Sequence, residues 1–431
     1  MLILTQLICV KKVLIITYYW PPSGGSGVQR WLKFVKYFRE FGIEPIVLTV
    51  DSEYAAFPNL DESLEQEIPV GIEVHKTQAK SPFGFYSKIK KGKIPNSGFA
   101  GVGKESLLDK LFRFIRGNFF IPDARIGWNK FALEKAKELI QLHAIDTVIT
   151  SSPPHSTQLI GLQLKKEFKI KWIADLRDPW TEIYYNKLLF RSNRAKKIDY
   201  RYEQACLQNA DTLVVVSEDI KRCFGERSKT ILEKIHVIPN GFDEEDFSDK
   251  KIKNDSDIKY ISYVGNLGLQ YPIERFLKAF SELVKQEKQW RIRFIGNVSQ
   301  TVNSEIQKLG LEKWLTFIPY VEHKKAVEYM INSDALLLII PESENNKGIL
   351  TGKLFEYIAT GNPIIYIGPE SGDAVTILKG IEGLSYLNFN SEEKILPFCS
   401  SIVMNFKESK QINYIYSRRN LAEKFAKLCI S

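Results

Sequence analysis

Short apolar runs alternate with stretches of helical periodicity along this chain of 431 residues, and this alternation limits the possible folds most strongly. The run Val13–Thr17 (VLIIT) precedes apolar residues at helical spacing, which are Val28, Trp31, Leu32, Val35 and Phe38. Further apolar runs follow at Pro45–Val50, Thr147–Thr150, Trp172–Ala174 and Thr212–Val216. Strands that alternate with helices form βαβ units with a parallel sheet, so the sequence predicts a doubly wound α/β fold.

A second series of apolar runs begins at Tyr260–Gly265 (YISYVG) and indicates a second domain. A helical pattern over Ile273–Val284 leads to the remaining runs, which are Arg291–Gly296, Leu315–Ile318, Ala335–Ile340 and Pro363–Ile367. The segment 238–253 between the two series combines turn residues with a run of mixed charge, as is typical of a linker. We therefore expect domains over 1–245 and 246–409. Two doubly wound domains bind ligands at the carboxyl ends of their strands, here in a cleft between the facing domains.

The composition excludes several classes of protein. Hydrophobic residues make up 44% and charged residues 26%, which is ordinary for soluble globular proteins. The five cysteines are scattered without a CxxC pair, which favours a reducing compartment over a disulfide framework or a structural zinc site. The sequence contains no zinc-finger, helix-turn-helix or RNA-binding motif and no apolar run near the roughly 20 residues that cross a bilayer. We expect a cytoplasmic protein that does not bind nucleic acid.

Two stretches allow more than one interpretation. Residues 1–10 lack the basic region and cleavage site of a signal peptide, so we expect a short leader or an early start codon. The net charge of +9 is partly concentrated in 81–125, where Lys and Arg interleave with Phe and Tyr. Such a stretch suits the headgroup region of an anionic membrane. The alternative is a solvated loop with a helix that packs its apolar stripe inward.

The glycine-rich loop after the first predicted strand is a candidate phosphate site. Gly25, Ser26 and Gly27 open a helix there, so unhindered backbone and the free N–H groups of a helix amino terminus are available to an anion. Arg30 stands where a dinucleotide-binding loop needs a third small residue. The residues inserted before the glycines also make the turn too long, so the sequence argues against a nicotinamide cofactor.

Two later loops place polar side chains at the carboxyl ends of predicted strands. His155, in the sequence SSPPHS, is the one histidine of five in such a position, and it either lies in the site or merely caps the next helix. The sequence ADLRDPW offers Asp175, Arg177 and Asp178. With Arg30, these charges are expected on the acceptor side or in the wall of the cleft, where they hold an acceptor hydroxyl or brace the wall. The alternative is that Asp175, Arg177 and Asp178 only neutralise one another.

The second domain contains a Gly-containing loop that leads into a short predicted helix. Lys353 at the start of this helix suits a diphosphate, and Glu356 one turn later suits the vicinal hydroxyls of a ribose. The alternative is an exposed i,i+3 ion pair, which stabilises a helix by only about 0.2–0.5 kcal/mol.

Taken in this order, the motifs resemble glycosyltransferase family 4, the retaining enzymes of the GT-B fold, and bacterial members that build surface polysaccharides in particular. The resemblance covers nearly the whole chain, from KVLIITYYWPPSGGSGVQR through SSPPHS, ADLRDPW, VIPNGFD and YVGNLG to TGKLFEYIATGNPI, GPESGDA and YSRRNLAEKFAKL. It implies that Gly25 to Gly27 face the donor phosphates, that His155 lies near the transferred sugar and that Glu356 holds the donor ribose. It also implies that the C-terminal segment 410–431 crosses back and completes the first domain.

The chain departs from the family pattern at two places. Gly348, not glutamate, stands eight residues before Glu356, and Asn266 with the residues after it replaces the Arg and Lys of the family's phosphate clamp. We therefore expect a different set of residues to hold the donor diphosphate, namely Gly265, Asn266, Lys347, Thr351, Gly352 and Lys353.

The resemblance implies transfer of a sugar from a nucleotide-sugar donor with retention of configuration. No DxD motif stands at a strand end, so we expect neither a metal ion nor another cofactor at the site. The expected donor is a UDP-sugar, with GDP-mannose second, and the expected acceptor is a polyprenyl-linked glycan at the inner face of the membrane. Two alternatives stay open. One is a nucleotide-sugar 2-epimerase, which would need further acid–base carboxylates, and the other is a non-catalytic nucleotide-sugar binder.

Overall fold

A computed structural model describes residues 10–55, 57, 60–80, 107–248, 257–343, 346–390, 392–404 and 414–431. The chain divides into two compact units, of which the first contains the described residues of 1–97, 104–239 and 418–431 and the second those of 240–417. The division falls between Pro239 and Asn240, whereas the sequence places the boundary after residue 245. The positions differ because Phe242 and Phe247 are buried in the core of the second unit.

The first unit is built on a seven-stranded parallel sheet. Its strands are β1 (Lys11–Thr17), β2 (Ile43–Val50), β3 (Glu73–Thr77), β4 (Thr147–Ser152), β5 (Lys171–Leu176), β6 (Thr212–Val215) and β7 (Ile235–Val237). They lie in the order β3-β2-β1-β4-β5-β6-β7, with every pair parallel. The inner strands are continuous aliphatic runs because helices cover both faces of the sheet.

The helices of the first unit up to the division are α1 (Ser26–Phe38), α2 (Leu107–Phe119), α3 (Asn129–His143), α4 (Ser156–Glu167), α5 (Asn193–Asn209), α6 (Glu218–Gly225) and α7 (Lys229–Leu232). Helix α1 packs on one face of the sheet with the side chains of Val13 and Ile15, and α3 and α4 pack on the other face with Leu14 and Ile16. Alternate residues of β1 thus serve both layers.

The second unit repeats this architecture with a six-stranded parallel sheet. Its strands are β8 (Lys259–Val264), β9 (Trp290–Ile295), β10 (Leu315–Ile318), β11 (Ala335–Ile339), β12 (Ile364–Ile367) and β13 (Tyr386–Asn388), in the order β10-β9-β8-β11-β12-β13. Its helices are α8 (Glu274–Gln286), α9 (Gln300–Lys308), α10 (His323–Ile331), α11 (Gly352–Thr360), α12 (Asp373–Gly380) and α13 (Ile395–Met404).

The last helix, α14 (Arg418–Ile430), belongs to the first unit and packs on α1. The ring of Phe425 lies with its centroid 5.2 Å from that of Trp31 and 5.8 Å from that of Phe34. This aromatic cluster joins the two ends of the chain within one core. No helix among the described residues is both long enough and apolar enough to cross a membrane.

Each sheet has one point at which the strand order reverses, and these points define two crevices. In the first unit the reversal lies between β1 and β4, and in the second it lies between β8 and β11. In doubly wound folds, ligands bind at the carboxyl ends of the strands beside such a reversal. The loops after β1 and β4, and those after β8 and β11, are therefore the places to look for function.

The predicted doubly wound α/β fold is confirmed, and each predicted strand overlaps an observed one. Three observed strands were missing from the sequence analysis: β3, β7 and β13. They are short, lie at or next to the edge of a sheet, and contain polar or partly exposed residues. Their patterns therefore lack the continuous apolar run that marks a buried strand.

Candidate functional site

A buried ion pair joins α1 to the strand ends at the first crevice. Arg30 donates from Nε and Nη2 to the two carboxylate oxygens of Asp175, over 3.2 and 2.9 Å. Trp31 Nε1 and Ser151 Oγ donate to the same carboxylate at 3.0 and 2.8 Å. Neither side chain of the ion pair has exposed surface. Arg30 and Asp175 therefore brace the crevice and are not placed to contact a ligand.

Arg177 ties the glycine-rich loop to the loop after β4. Its Nη1 donates to the carbonyl oxygen of Gly27 at 2.8 Å, its Nε to that of Ser152 at 2.9 Å and its Nη2 to that of Pro153 at 3.3 Å. A guanidinium group fits this task because its donors diverge in a fixed plane. The two loops at the reversal of the strand order are thus held in one arrangement.

The two aspartates beside Arg177 lie in different surroundings. The carboxylate of Asp175 is occupied by Arg30, whereas Asp178 is half-buried. Burial raises the pKa of Asp178, and the charge of Arg177 partly offsets this effect. Of the two, Asp178 is therefore the one that a ligand can reach.

The glycine-rich loop presents backbone with little side-chain bulk. Gly25 is exposed and has a φ of +100°, a conformation that favours glycine. Ser26 begins α1, and a Cβ atom on Gly27 would lie 3.4 Å from Arg177 Nη1. The first N–H groups of α1 therefore lie at an open loop, where they are available to an anion.

His155 lies in the first crevice with a neutral ring. The side chain is 8% exposed and stacks on Trp180, with ring centroids 4.8 Å apart. Among the described residues, neither ring nitrogen has a hydrogen-bond partner. Burial, together with the positive charges of Arg191 and Arg177, lowers the pKa of His155 to about 3. The imidazole can therefore give one hydrogen bond and accept another at neutral pH.

Two aspartates that the sequence analysis missed support the loop of His155. Asp123 accepts hydrogen bonds from the N–H and Oγ of Ser156 at 2.8 and 2.9 Å, which fixes the start of α4. Asp199 accepts from Trp180 Nε1 at 2.8 Å and so holds the ring on which His155 stacks. Asp123 is 33 residues from Ser156, and Asp199 is 19 residues from Trp180 on helix α5. No local spacing in the sequence therefore indicated either contact.

The second crevice contains a close approach between two loops. Gly265 after β8 and Gly296 after β9 have φ values of +124° and +121°. A Cβ atom on Gly296 would lie 2.5 Å from the carbonyl oxygen of Gly265, so the position requires glycine. Lys353 Nζ lies 3.0 Å from the position that a Cβ on Gly265 would take. It donates to Tyr263 Oη at 2.9 Å.

Lys353 and the start of α11 form an incomplete anion site, which we call the lysine cradle (Gly265, Thr351, Gly352 and Lys353). Burial lowers the pKa of Lys353 to about 7, although the charge of Glu356 raises it. Thr351 occupies the N-cap position of α11, and its buried Oγ1 has no hydrogen-bond partner among the described residues. A bound anion would satisfy this hydroxyl and the free N–H groups, and it would favour the charged form of Lys353.

Glu356 is held by a histidine that the sequence analysis missed. His323 Nε2, at the start of α10, lies 3.0 Å from Glu356 Oε1. His323 Nδ1 lies 3.9 Å from Asp246 Oδ2. The three side chains are between 17% and 20% exposed, so the carboxylate is accessible but fixed in orientation. These contacts involve other partners than the i,i+3 ion pair with Lys353 that the sequence left open as the alternative.

The remaining predicted donor residues lie in two further places. The carbonyl oxygen of Asn266 accepts from Tyr263 Oη at 2.9 Å, and Asn266 Oδ1 accepts from Asn297 at 3.1 Å. Lys347 has an exposed side chain, and its carbonyl oxygen would lie 2.5 Å from a Cβ on Gly372. Asn266 is therefore joined to the lysine cradle through Tyr263, and Lys347 packs by its backbone at the start of α12.

Two family models match consecutive parts of the chain. Residues 99–246 match Glycosyltransferase Family 4, and residues 244–393 match Glycosyl transferases group 1, so the two together cover more than half of the chain. A curated relative, TuaH of Bacillus subtilis (strain 168), carries a name for a glycosyltransferase of teichuronic acid biosynthesis. It is 22% identical over 199 residues, which are 45% of this chain and 49% of the relative. The match thus spans about half the length of that relative.

Solved structures with the same fold cover nearly the whole chain. Sucrose-phosphate synthase from Thermosynechococcus elongatus aligns with a TM-score of 0.56 at 14% identity, over 97% of this chain and 94% of the other. Anabaena Alr3699/HepE in complex with UDP aligns with a TM-score of 0.55 at 12% identity, over 97% and 95%. A UDP-N-acetylglucosamine 2-epimerase aligns with a TM-score of 0.54 at 12% identity, over 97% and 95%. By its fold and its two family matches, the chain belongs to the family 4 glycosyltransferases with the GT-B fold.

Proposed function

We propose that the protein transfers a sugar, with retention of configuration, from a UDP-sugar to a lipid-linked glycan during synthesis of a surface polysaccharide. The observation that carries the proposal is the lysine cradle, in which Lys353 lies against Gly265 at the strand-order reversal of the second unit. The name of the relative supports the polysaccharide, and the UDP in a solved structure of the same fold supports the nucleotide.

The lysine cradle binds the donor diphosphate in this proposal. The charge of Lys353, the first N–H groups of α11 and the hydroxyl of Thr351 stabilise the negative charge that grows on UDP as the anomeric bond breaks. Glu356, held by His323, accepts hydrogen bonds from the ribose hydroxyls. Lys353 and the amino-terminal N–H groups of α11 supply positive charge at the diphosphate, so we propose that transfer is independent of metal.

The first unit supplies His155 and the glycine-rich loop. His155 gives a hydrogen bond to a hydroxyl of the transferred sugar or accepts one from it, and its low pKa keeps it uncharged while it does so. The amides after Gly25 face the donor phosphates. The acceptor hydroxyl attacks the anomeric carbon from the side that UDP leaves. The bond from the anomeric carbon to phosphate oxygen breaks, the bond to the acceptor oxygen forms, and the acceptor proton passes to the departing phosphate.

Helix α2 supports a lipid-linked acceptor, because it exposes apolar side chains on one face. Leu111, Phe114 and Phe119 are 53%, 44% and 73% exposed, and Lys110 on the same helix is also exposed. An amphipathic helix of this kind lies in the headgroup region of an anionic membrane. We propose that α2 brings the enzyme to the inner face of the membrane. The remainder of the predicted basic stretch, 81–106, lies outside the described residues.

The carboxyl end of α2 is fixed to the loop 189–192 of the first unit. A Cβ on Gly117 would lie 2.3 Å from the carbonyl oxygen of Leu189, so the helix packs closely on that loop. Asn118 donates to the carbonyl oxygen of Phe190 at 3.1 Å and accepts from the N–H of Ser192 at 2.7 Å. The exposure of the apolar side chains on α2 favours a membrane surface over inward packing for the apolar stripe.

Thermal unfolding with UDP, GDP, dTDP, CDP and NAD at equal concentration tests the nucleotide assignment. A ligand at 100 times its dissociation constant adds about 2.7 kcal/mol to the free energy of unfolding. We expect UDP to raise the Tm most, Lys353→Ala to remove most of that shift and Lys379→Ala, an exposed lysine of α12, to keep it. A shift with NAD alone, or with no nucleotide, would contradict the proposed function.

A further inference from the structure

Three side chains with metal-binding atoms meet in the first unit, towards the amino ends of the strands and away from the crevice. They are Glu73, His75 and His143, which we call the histidine–glutamate cluster. The chain contains five histidines, and this cluster brings together two of them from distant parts of the sequence. None of the three belongs to a motif of the family resemblance.

The sheet and the helix above it position the cluster. Glu73 and His75 are two residues apart on the edge strand β3, so they lie on the same face of the sheet. Their partners in the register are Ile46 and Leu48 of β2, which pack in the core beneath α3. His143 is the last residue of α3 and meets them from above.

One carboxylate oxygen lies at the centre of the cluster. Glu73 Oε1 is 2.5 Å from His75 Nε2 and 3.2 Å from His143 Nε2, and the donor atoms of all three residues lie within 4.8 Å of one another. His143 Nε2 is buried, and despite its distance to Glu73 it has no hydrogen bond of acceptable geometry among the described residues. The cluster thus contains a buried nitrogen that faces the shared carboxylate oxygen.

Two imidazoles and one carboxylate are the ligand set of many zinc sites. Bonds of 2.0–2.2 Å in a tetrahedral arrangement separate neighbouring ligand atoms by about 3.3–3.6 Å. The separation of 3.2 Å between Glu73 and His143 is close to this range, and the separation of 2.5 Å between Glu73 and His75 must open by about 1 Å to reach it. The three residues are partly exposed, so water can occupy a fourth position.

We propose that the histidine–glutamate cluster binds a divalent transition-metal ion, with zinc preferred, through Glu73 Oε1, His75 Nε2, His143 Nε2 and a water molecule. The ion would fasten the edge strand β3 to the end of α3. The histidine–glutamate cluster lies outside the proposed transfer site, and the metal site does not depend on the proposed function.

The position of Lys12 predicts the direction in which a substitution there changes metal affinity. Its Nζ lies 3.4 Å from His143 Nδ1. When the metal takes Nε2, the neutral ring carries its proton on Nδ1 and cannot accept from lysine. The positive charge of Lys12 also opposes a cation nearby. The side chain is exposed and can turn away, so binding is weakened but not prevented. Lys12→Gln should therefore tighten metal binding.

Calorimetric titration of the EDTA-treated full-length protein with zinc sulfate tests the site. We expect one zinc ion per chain for the wild type, and a loss of affinity of more than about tenfold in His75→Ala and in His143→Ala. His236→Ala removes a histidine from the same unit but not from the cluster, and we expect it to bind as the wild type does. The proposal is overturned if the wild type binds no zinc, or if the two cluster variants retain its affinity.

A second pair of measurements separates loss of a ligand from loss of the fold. Circular dichroism and thermal unfolding in EDTA should be the same for the wild type and for the more conservative variant Glu73→Gln. Addition of zinc should raise the Tm of the wild type and of Lys12→Gln, and leave that of Glu73→Gln unchanged. An equal rise in Tm for Glu73→Gln would place the bound zinc elsewhere and contradict the assignment.

Discussion

If Lys353 binds the diphosphate as proposed, nucleotide binding depends on pH near neutrality. Burial lowers its pKa to about 7, so the free protein has the charged form below this pH and loses it above. A diphosphate binds the charged form, so affinity is fully present below pH 7 and falls as the pH rises. Above pH 7.5, where UDP itself is fully ionised, we expect UDP affinity to fall by up to about tenfold per pH unit, measured by calorimetry.

The variant Lys353→Arg serves as the control for this pH dependence. Arginine stays charged throughout the range, so UDP affinity of Lys353→Arg should change little between pH 7.5 and 9. If the wild type and Lys353→Arg showed the same pH profile, the titrating group would lie elsewhere.

In the proposed function, His323 acts on the nucleotide through its contact with Glu356 and is therefore a positioning residue. We expect His323→Ala to weaken UDP binding by about fivefold, equivalent to one lost hydrogen bond, and to raise the KM for the donor more than it lowers kcat. His323→Gln, which can still donate to Glu356, should restore part of the affinity. Lys324→Ala, on the exposed side of α10, is the matched control.

A ribose analogue distinguishes the positioning role of His323 from a merely structural role. The wild type should bind UDP more tightly than 2′,3′-dideoxy-UDP, because Glu356 accepts from the ribose hydroxyls. His323→Ala should lose most of this preference. A variant that weakened both ligands equally would indicate damage to the fold, and the positioning role would be wrong.

At the scale of elements, the close approach of the loops after β8 and β9 shapes the lysine cradle. Gly296→Ala would place Cβ 2.5 Å from the carbonyl oxygen of Gly265 and must displace that loop. Gly310 also has a positive φ, but nothing lies within 4 Å of its Cβ position. Gly310→Ala therefore introduces strain at a positive φ, here +64° against +121° at Gly296, without the contact. We expect both variants to lose stability in urea, and only Gly296→Ala to lose most of its UDP affinity; equal affinities would contradict this.

The ion pair between Arg30 and Asp175 joins α1 to β5, and its loss should be costly. Asp175→Ala leaves a buried guanidinium without its partner, so we expect the free energy of unfolding to fall by about 3–5 kcal/mol in urea titrations. The exposed pair between Lys285 and Glu282 is the control, and Glu282→Ala should change stability by less than about 1 kcal/mol. Similar losses for the two variants would mean that the buried pair does not brace the crevice.

The elements that the sequence predicted differ in kind from those that it missed. Strands such as β1 and β11 are buried on both faces, so their apolar runs identify them without knowledge of their neighbours. The edge strand β3 reads EVHKT and is no more apolar than a loop. It is a strand because β2 offers it a hydrogen-bonding edge, and that information lies in the tertiary structure.

For the whole molecule, the exposed face of α2 predicts binding to anionic vesicles. We expect the double variant Leu111→Asp/Phe114→Asp to sediment several-fold less with vesicles of anionic phospholipid, because it places two charges on the apolar face. Val70→Asp changes a side chain of the first unit that is 95% exposed and lies on a turn, and it should sediment as the wild type does. Sedimentation of the double variant at the level of wild type would exclude α2 as the membrane contact.

The site was predictable from sequence only where a motif is local. Gly25 and His155 belong to the loops after β1 and β4, and Lys353 and Glu356 to the start of α11, so short patterns and the family resemblance were enough to predict them as site residues. Asp123 and His323 act on these motifs from a distance in sequence, and the histidine–glutamate cluster forms only when β3 and α3 pack together. Local patterns contain no information about such contacts between separate elements.

The most direct test of the account is turnover of UDP-sugars in EDTA, with and without a bacterial extract of lipid-linked glycans. UDP release and the anomeric configuration of the product are followed by NMR. The account predicts slow UDP release without the extract, faster release with the extract, and a product of retained configuration. It also predicts that His155→Ala lowers the rate by about 100-fold. A change of configuration at the sugar C2 without acceptor-dependent UDP release, an inverted product, or activity only after addition of metal would contradict it.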